Sequence, residues 1–442
     1  MSVIVEREFK NKLSLFDAII LGIGSTIGAG IFVLLSTAFS IAGPAVIIAF
    51  ALNALIAFII AGNYAEAASF NPVNGGGFSF VEEAFGKKAR ILGWLIWLGN
   101  ASYASLCAIG FAKYFTHFLP IDELIVSVLV LALFTIINLI GSKKVALIMK
   151  PLAISLLLML VFISFFLFSN SQDGLENFNN FIPNGLISII PATSLLFVRF
   201  TGFEAITTIS AEIKKPHRNI PKALFYTIGI VAIIYLLIVT AIVYSVNIDN
   251  LTGSEMALLD AVKFSNPMMV VVIICAAIAV MSSLNAALMG ASRNVYALSR
   301  DKFLPASLSR INSKFDTPVR AIIITFIISL FLVLSNQVEF VASITNLSYM
   351  IIVSSVGLAV LKLRKKRGKL GDKISFKLPF HPLGPILCII LPLILIPFLE
   401  FNSIIILAVW IIVGVIIHRI TKHMRRNHEK SLSKGIIHKP QI

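Results

Sequence analysis

Two short glycine-bearing stretches hold the backbone groups best suited to binding a charged ligand. They read GIGSTIGAGIF at 22–32 and FVRFTGFEA at 197–205, and each interrupts a long apolar run. Where a helix unwinds, its freed N–H groups bind a carboxylate, and its freed carbonyl groups bind a cation or an ammonium group. A zwitterion, which carries both charges, suits such a pair of breaks.

The glycines of the first stretch have two interpretations. Gly24 and Gly28 form a GxxxG pair, and small residues at this spacing let two membrane helices approach closely. Alternatively the segment is unwound, which is tolerated at membrane depth where the irregular backbone lines a cavity. The sequence leaves both interpretations open.

Two charged side chains flank Gly202 in the second stretch. A charge within an apolar run is costly, so Arg199 and Glu204 are functional candidates. Arg199 either faces a substrate cavity, where it would favour acidic substrates, or faces a neighbouring helix and pairs with a carboxylate there. Glu204 is either a proton carrier or a structural partner.

Three further charges lie near the ends of apolar runs. Long side chains at such positions reach the membrane surface, and this explains them without a functional role. They are Glu66, Lys150 and Arg293.

The chain that positions these residues has the composition of a polytopic membrane protein. Of its 442 residues, 58% are apolar and 13% are charged. Apolar runs of 18 or more residues recur from end to end, each long enough to cross about 30 Å of hydrocarbon as a helix. The sequence predicts an all-α protein with about twelve spans, at 15–39, 45–69, 89–115, 123–140, 145–168, 187–211, 223–245, 268–298, 319–334, 341–361, 384–399 and 403–420.

The two glycine-bearing stretches fall in the first and the sixth of these runs. Breaks five spans apart are typical of two inverted five-helix repeats that meet at a site near the membrane midplane. Such an arrangement would bring the two breaks together.

The positive charge is arranged by membrane side. The net charge is +16. If successive spans cross the membrane in alternating directions, 32 of the 37 Lys and Arg residues lie in segments on the same side as the N-terminus. By the positive-inside rule, we expect both termini to lie in the cytoplasm. The membrane concerned is expected to be the plasma membrane. The basic tail is explained by orientation and by attraction to anionic lipid, so we expect no nucleic-acid partner.

Signals of an enzyme, a metal centre or a disulfide framework are missing from the sequence. The three cysteines lie within apolar runs and are typical of small core residues. The chain contains no HExxH, GxSxG or GxxxxGK[ST] motif, so neither a membrane protease nor a nucleotide-driven pump is indicated. We expect no cofactor apart from a coupling ion.

Several motifs, in order along about 300 residues, resemble the amino acid–polyamine–organocation (APC) superfamily of transporters. The first-helix stretch continues as GIGSTIGAGIFVL, and the stretch after the eighth helix leads to DTPVRA, which opens the ninth span. The other similar segments are YAEAASFNPVNGGGFSFVEEAFG (64–86), FVRFTGFEAITTISAEIKKPHRNIPKAL (197–224) and SSLNAALMGASRNVYALSRDKFLP (282–305).

This resemblance implies a leucine-transporter-like fold: two inverted five-helix repeats, two further helices, and alternating access. It implies that first-helix amides bind the substrate α-carboxylate and that sixth-helix carbonyls around Gly202 bind the α-amino group. Phe200 or Phe203 would act as a gate. The remaining implied residues are Ile27, Gly28, Ala29 and Gly30 for the carboxylate, and Val198, Arg199 and Thr201 for the amino group.

The resemblance leaves the coupling ion open. Many proton-coupled relatives carry a mid-membrane lysine on the fifth helix, at a position that falls on Leu156 here. Lys150 stands six residues earlier, roughly 9 Å along a helix. If that lysine is missing, sodium could bind between first-helix carbonyls and eighth-helix hydroxyls, and the residues concerned are Gly24, Ile27, Ser282 and Ser283.

Side-chain specificity would come from the third, eighth and tenth spans. Asn100, Ser102, Asn285 and Asn346 are the polar candidates there. Helices that are apolar all round give no indication of which face turns inward.

The sequence thus predicts a secondary active transporter of amino acids, driven by a proton or sodium gradient. An amino acid or polyamine exchanger is the alternative mechanism, and a channel is the alternative class. The predicted segments are a cytoplasmic N-terminus (1–14), a transporter domain (15–420) and a basic cytoplasmic tail (421–442). Within the domain we expect repeats at about 15–169 and 187–362 and extra helices at about 384–420.

Overall fold

The computed structural model describes residues 13–28, 30–70, 72, 75–117, 120–140, 145–171, 174–246, 251, 256–312, 315, 317–370 and 376–436. Within these residues, ten helical stretches are long and apolar enough to span a membrane. Two shorter apolar helices, Val319–Leu334 and Leu383–Phe398, follow the same pattern. The all-α, polytopic prediction is confirmed.

Seventeen α-helices make up the described chain. In order they are α1 Leu15–Thr26, α2 Gly30–Val33, α3 Leu35–Ala42, α4 Val46–Phe70, α5 Gly76–Phe85, α6 Arg90–Thr116, α7 Glu123–Ile140, α8 Val145–Ser169, α9 Ile189–Leu196, α10 Ala205–Thr208, α11 Pro216–Ser245, α12 Ala257–Asp260, α13 Asn266–Arg300, α14 Val319–Leu334, α15 Val338–Leu370, α16 Leu383–Leu395 and α17 Phe401–Ile436.

Two of the predicted spans are interrupted. The first consists of α1, α2 and α3 in succession, and the sixth consists of α9, a 3₁₀ turn at Phe197–Phe200, and α10. The other spans are α-helices, the eleventh of which ends in a 3₁₀ turn at Ile396–Phe398, as the need to pair every backbone group within lipid requires.

The first helix begins at a strong start signal. The Ser14 hydroxyl accepts a hydrogen bond from the Asp17 N–H at 3.2 Å, and the Asp17 carboxylate accepts one from the Ser14 N–H at 2.9 Å. This reciprocal pair is a capping box, which satisfies backbone donors that a helix start leaves unpaired. The start of α1 is therefore fixed by local sequence.

The core of the bundle surrounds the two interrupted spans. Helix α6 packs against α13, α15, α7 and α14, while α11 packs against α4, α1 and α8. The apolar window of α17 is 17% buried, whereas that of the stretch containing α6 is 78% buried. The peripheral helix therefore presents its apolar residues to lipid, and α6 forms part of the centre.

An ion pair joins the ends of α4 and α15. Glu66, which is fully buried, lies 3.4 Å from the Arg364 guanidinium and accepts a hydrogen bond from the Leu378 N–H at 2.8 Å. Nearby, Asn63 donates to the Gly384 carbonyl at 3.3 Å. These contacts attach the connection between α15 and α16 to the second span.

Candidate functional site

The first span breaks immediately after Thr26. The Ile27 N–H still donates to the Ile23 carbonyl at 2.8 Å, but Ile27 has a ψ of 43° and leaves the helix. The chain resumes as α2 at Gly30. Ala29, one of the predicted carboxylate-binding residues, lies outside the described residues.

The glycines before this break serve close helix packing. A Cβ atom on Gly22 would lie 2.6 Å from Thr227 Oγ1 on α11, and one on Gly24 would lie 2.9 Å from the Ala153 Cβ on α8. Both distances are shorter than side chains tolerate. Close helix packing therefore explains Gly22 and Gly24. The alternative interpretation, an unwound backbone that lines a cavity, applies to Gly28.

Gly28 lies at the break and faces hydroxyl groups. A Cβ atom there would lie 2.1 Å from Tyr103 Oη on α6 and 2.5 Å from Ser283 Oγ on α13. The Ser283 hydroxyl is buried and interacts with the neighbouring Tyr103 hydroxyl, but it makes no hydrogen bond of good geometry to any described residue. The Gly28 N–H donates to none of the described residues. The Gly28 amide and the two hydroxyls thus lie together at the break, where any side chain larger than hydrogen would collide with the hydroxyls.

The second break is built around Gly202. Its φ of +111° is a conformation that residues with a side chain rarely adopt. Its N–H donates to Glu204 Oε2 at 2.7 Å, and α10 begins at Ala205. The Val198 carbonyl is already used, because it accepts the Thr201 hydroxyl at 2.8 Å. The carbonyls of the predicted residues Arg199 and Thr201, and that of Phe200 between them, accept no hydrogen bond from any residue that the structure describes.

Asn346 on α15 holds the start of this break in place. Its Oδ1 accepts from the Val198 N–H at 2.7 Å, and its Nδ2 donates to the carbonyls of Ser194 and Leu195 at 3.0 Å and 2.9 Å. One buried side chain therefore makes three hydrogen bonds to the backbone where the helix is interrupted, although the Ser194 carbonyl also accepts the Phe197 N–H.

The two breaks touch each other through their backbones. A Cβ atom on Gly202 would lie 2.3 Å from the Ser25 carbonyl oxygen and 3.1 Å from the Thr26 Cα. The Thr26 carbonyl also accepts a hydrogen bond from Tyr235 Oη on α11 at 3.1 Å. The structure thus brings together the first-span and sixth-span residues that the sequence singles out.

The two phenylalanines of the second break occupy different surroundings. The Phe200 ring meets Tyr235 edge to face with centroids 5.3 Å apart, and the Phe203 ring meets Tyr64 at 6.1 Å. Both rings border a small cavity of about 10 Å³, close to the least that holds one water molecule. Asn53, Thr201 and Glu204 are the polar residues in its lining.

Arg199 makes no hydrogen bond to the Glu204 carboxylate. Its side chain is 1% exposed, and none of its three guanidinium nitrogens has a hydrogen-bond partner among the described residues. The ionisable side chains that interact with it electrostatically are Tyr103, Tyr235 and Cys107. Tyr103 and Tyr235 are the same tyrosines that reach Gly28 and Thr26 at the first break.

The coupling candidates are dispersed. Lys150 pairs with Asp17 near the start of α1 and is half exposed, so it lies at an end of the bundle. Leu156, at the position of the lysine discussed above, is buried. Ser282 donates to the carbonyl of Ala279 on its own helix at 3.0 Å, whereas Ser283 lies at Gly28. No cluster of three His, Cys, Asp or Glu residues suited to a metal occurs within the described chain.

The polar candidates of the other spans divide between site and scaffold. Asn346 supports the second break, and Asn100 accepts a hydrogen bond from Tyr349 Oη at 3.0 Å. Asn285 instead accepts one from Asn138 at 3.0 Å, which ties α13 to α7. Ser102 is buried and its hydroxyl has no partner in the described structure.

Sequence reasoning missed Tyr103 and Tyr235. Both lie in helices that are apolar on every side, so no periodicity indicates their facing direction. The available signal is a polar-tipped ring in a spanning helix, since a buried tyrosine hydroxyl usually finds a polar partner.

These features define a class: a polytopic helical membrane protein with two interrupted spans that meet in its core. A family model described as amino acid permease matches residues 13–420. The chain therefore belongs to the amino acid permease family, within the APC superfamily, and is a transporter of amino acids rather than an enzyme.

Relatives of known name agree with this membership. The chain is 29% identical to the branched-chain amino acid permease BcaP of Bacillus subtilis (strain 168), over 96% of each chain. It is 28% identical to the methylthioribose transporter of the same organism, over 93% of each chain. It is 26% identical to BcaP of Lactococcus lactis subsp. cremoris, over 93% of this chain and 95% of the relative.

Proposed function

We propose that the protein is a secondary active transporter that carries an amino acid by alternating access, driven by a proton or sodium gradient. The observation that carries the proposal is the backbone contact between the two breaks, at Gly202 and Ser25. A site enclosed by two interrupted helices is one that small hinge movements can open to either side of the membrane.

The substrate backbone would lie between the two breaks. Its α-carboxylate would meet the Gly28 N–H and the hydroxyls of Ser283 and Tyr103. Its α-ammonium group would meet the free carbonyls of Phe200 and Thr201. The relatives named above include branched-chain amino acid permeases, which supports an amino acid as substrate.

Glu204 is the better placed of the proton-carrier candidates. Its carboxylate is within the second break, bonded to the Gly202 N–H, and borders the water-sized cavity. Protonation would remove the charge that holds this turn, so a proton bound there would alter the break itself. Lys150 is paired with Asp17 at a distance from the breaks, and we assign it no part in coupling.

Sodium is the alternative coupling ion. Sodium prefers oxygen ligands, and Ser283 offers a buried hydroxyl beside the first break. Ser282 donates its hydrogen to the Ala279 carbonyl, which leaves its oxygen lone pairs available, so the predicted ligands remain the carbonyls of Gly24 and Ile27 and the hydroxyls of Ser282 and Ser283.

We further propose two inverted repeats, at about 15–169 and 187–362, with both termini in the cytoplasm. The breaks fall in corresponding spans of the two halves, which supports the repeats. The concentration of Lys and Arg in alternate connecting segments supports the orientation.

The test is uptake of labelled amino acids into proteoliposomes, with an inward proton gradient and an inward sodium gradient imposed separately. We expect saturable uptake under one gradient and none under the other. Gly28→Val should abolish it because the side chain would occupy the hydroxyl-lined space. Gly229→Ala is the matched control, since its Cβ would meet only Phe58 at 3.8 Å.

The same vesicles separate a transporter from a channel. A transporter exchanges labelled for unlabelled substrate across the membrane, and its rate saturates, whereas flux through a channel follows the gradient alone. Absence of uptake and of counterflow for every amino acid, by correctly folded protein, would refute the proposed function.

A further inference from the structure

We propose that the transported amino acid carries a second acidic group, and that this group forms an ion pair with Arg199. The inference rests on the proposed function, because it concerns the side chain of the substrate held between the two breaks. It deepens that function by naming a substrate class: amino acids with an acidic side chain.

The first observation is the isolation of the guanidinium. Arg199 is 1% exposed, and its Nε, Nη1 and Nη2 atoms have no hydrogen-bond partner in the described chain. A buried charge is tolerated when it is paired and hydrogen-bonded, and removing the partner of a buried charge is strongly destabilising. The structure therefore provides a cationic group whose counter-charge must come from elsewhere.

The second observation is that the nearest acidic residue in sequence does not pair with Arg199. Glu204, five residues away, accepts the Gly202 N–H at 2.7 Å and borders a small cavity whose lining does not include Arg199. Ion pairs of the described residues, such as those of Arg90 with Glu82, Lys150 with Asp17 and Arg364 with Glu66, do not include Arg199.

The third observation is where the guanidinium lies. Its electrostatic neighbours Tyr103 and Tyr235 are the two tyrosines that reach the first break. Tyr103 Oη would lie 2.1 Å from a Cβ on Gly28, and Tyr235 Oη donates to the Thr26 carbonyl at 3.1 Å. Arg199 thus shares its surroundings with the proposed α-carboxylate site.

The chemistry of arginine fits a side-chain carboxylate. Its planar guanidinium offers two parallel N–H donors to both carboxylate oxygens, which gives geometric selection as well as charge. The α-carboxylate, which every amino acid carries, is assigned to the Gly28 N–H and the hydroxyls of Ser283 and Tyr103, so a neutral side chain would leave the guanidinium without a carboxylate of its own after water is excluded. An acidic side chain would instead neutralise it.

The test is counterflow competition with matched acid and amide pairs. Proteoliposomes are loaded with an unlabelled amino acid mixture, and entry of labelled substrate is inhibited by L-glutamate or L-glutamine, and by L-aspartate or L-asparagine. Acid and amide have nearly the same shape, so the difference isolates the charge. We expect the acid of each pair to inhibit at a concentration at least about 30-fold lower than its amide.

Two variants extend the test. Arg199→Gln should reverse or abolish the preference for the acid, while Arg199→Lys, which retains the charge, should keep the acid ahead of the amide by a smaller factor. Wild-type protein in detergent offers a measurement that needs no variant: thermal stabilisation by glutamate should exceed that by glutamine.

The possible outcomes distinguish a failure of the acidic substrate class from a failure of the proposed amino acid transport. Counterflow of neutral amino acids, with acids no better than amides, would overturn the inference and leave the proposed function intact. Neutral uptake that is lost when chloride is replaced by gluconate would also overturn it, since an inorganic anion would then pair with Arg199. Folded protein that exchanges no amino acid would refute the proposed function itself.

Discussion

Replacing Gly202 by alanine tests whether the two breaks really share a backbone contact. Two penalties combine at this residue. Its φ of +111° strains any residue with a Cβ atom, and the new Cβ would lie 2.3 Å from the Ser25 carbonyl oxygen. A flexible side chain could rotate away, but a carbonyl within a helix moves only with its helix.

Two other glycines separate these penalties. Gly185 has a φ of +77°, and its Cβ would meet nothing within 4 Å, so Gly185→Ala measures backbone strain alone. Strain of this kind costs roughly 1–2 kcal/mol. Forcing an atom into a packed interior adds about 1–3 kcal/mol. We therefore expect Gly202→Ala to lower the free energy of unfolding by about 2–5 kcal/mol. Gly229→Ala, in the middle of α11, should be neutral or gain up to about 1 kcal/mol.

The assay is denaturant titration of the purified protein in detergent micelles, followed by tryptophan fluorescence. Shifts of the midpoint at constant slope report the change in the free energy of unfolding. The predicted order of loss is Gly202→Ala, then Gly185→Ala, then Gly229→Ala. Equal losses at Gly202 and Gly185 would refute the contact between the breaks, because strain alone would then account for both.

Three further substitutions probe the scaffold of the site. Asn346→Leu leaves the buried Val198 N–H unpaired and removes the hydrogen bonds from Asn346 to the Ser194 and Leu195 carbonyls, which should cost about 1–3 kcal/mol of unfolding free energy in the same titration; an unchanged midpoint would contradict the bracing role. Glu66→Gln removes the charge beside Arg364, whose side chain is partly exposed, so we expect the free energy of unfolding to fall by about 1–3 kcal/mol. The double variant Glu66→Gln with Arg364→Met should recover most of this loss. A double variant no more stable than the single one would argue against the ion pair. Lys150→Met breaks a half-exposed ion pair and should lower the free energy of unfolding by at most about 1 kcal/mol. The Michaelis constant for uptake should not change. A tenfold change in that constant would make Lys150 a coupling candidate again.

The spans were predictable because lipid imposes a simple composition. The helices Glu123–Ile140 and Val319–Leu334 begin and end at the predicted residues. Helix α15 instead continues to Leu370, well beyond the predicted end at 361. Apolarity marks only the part of a helix within the membrane, and lysine and arginine sustain a helix in water.

The breaks were predictable in part. Glycines in two apolar runs five spans apart, the second of them flanked by charged residues, indicated both interruptions, but glycine spacing could not distinguish Gly24, which packs on α8, from Gly28, which lies beside hydroxyls. That difference depends on which helix each glycine faces. The same lack of facing information hid Tyr103, Tyr235 and the bracing role of Asn346.

A guanidinium that is paired only while substrate is bound has a consequence for the transport cycle. With an acidic substrate in place, Arg199 is neutralised, and the loaded protein changes its facing direction without an uncompensated charge. The empty protein must make the same change with the guanidinium unpaired, in a site where Ser283 and the Gly28 amide are unpaired too. The cost of burying an unpaired charge then applies only when the protein changes its facing direction without substrate. On the proposed pairing, exchange of one substrate molecule for another is therefore faster than net uptake, and the ratio of counterflow to net uptake rates measures the difference. Arg199 thereby affects the transport mechanism as well as the choice of substrate. Its pairing with substrate favours exchange over net uptake, whichever ion drives net accumulation.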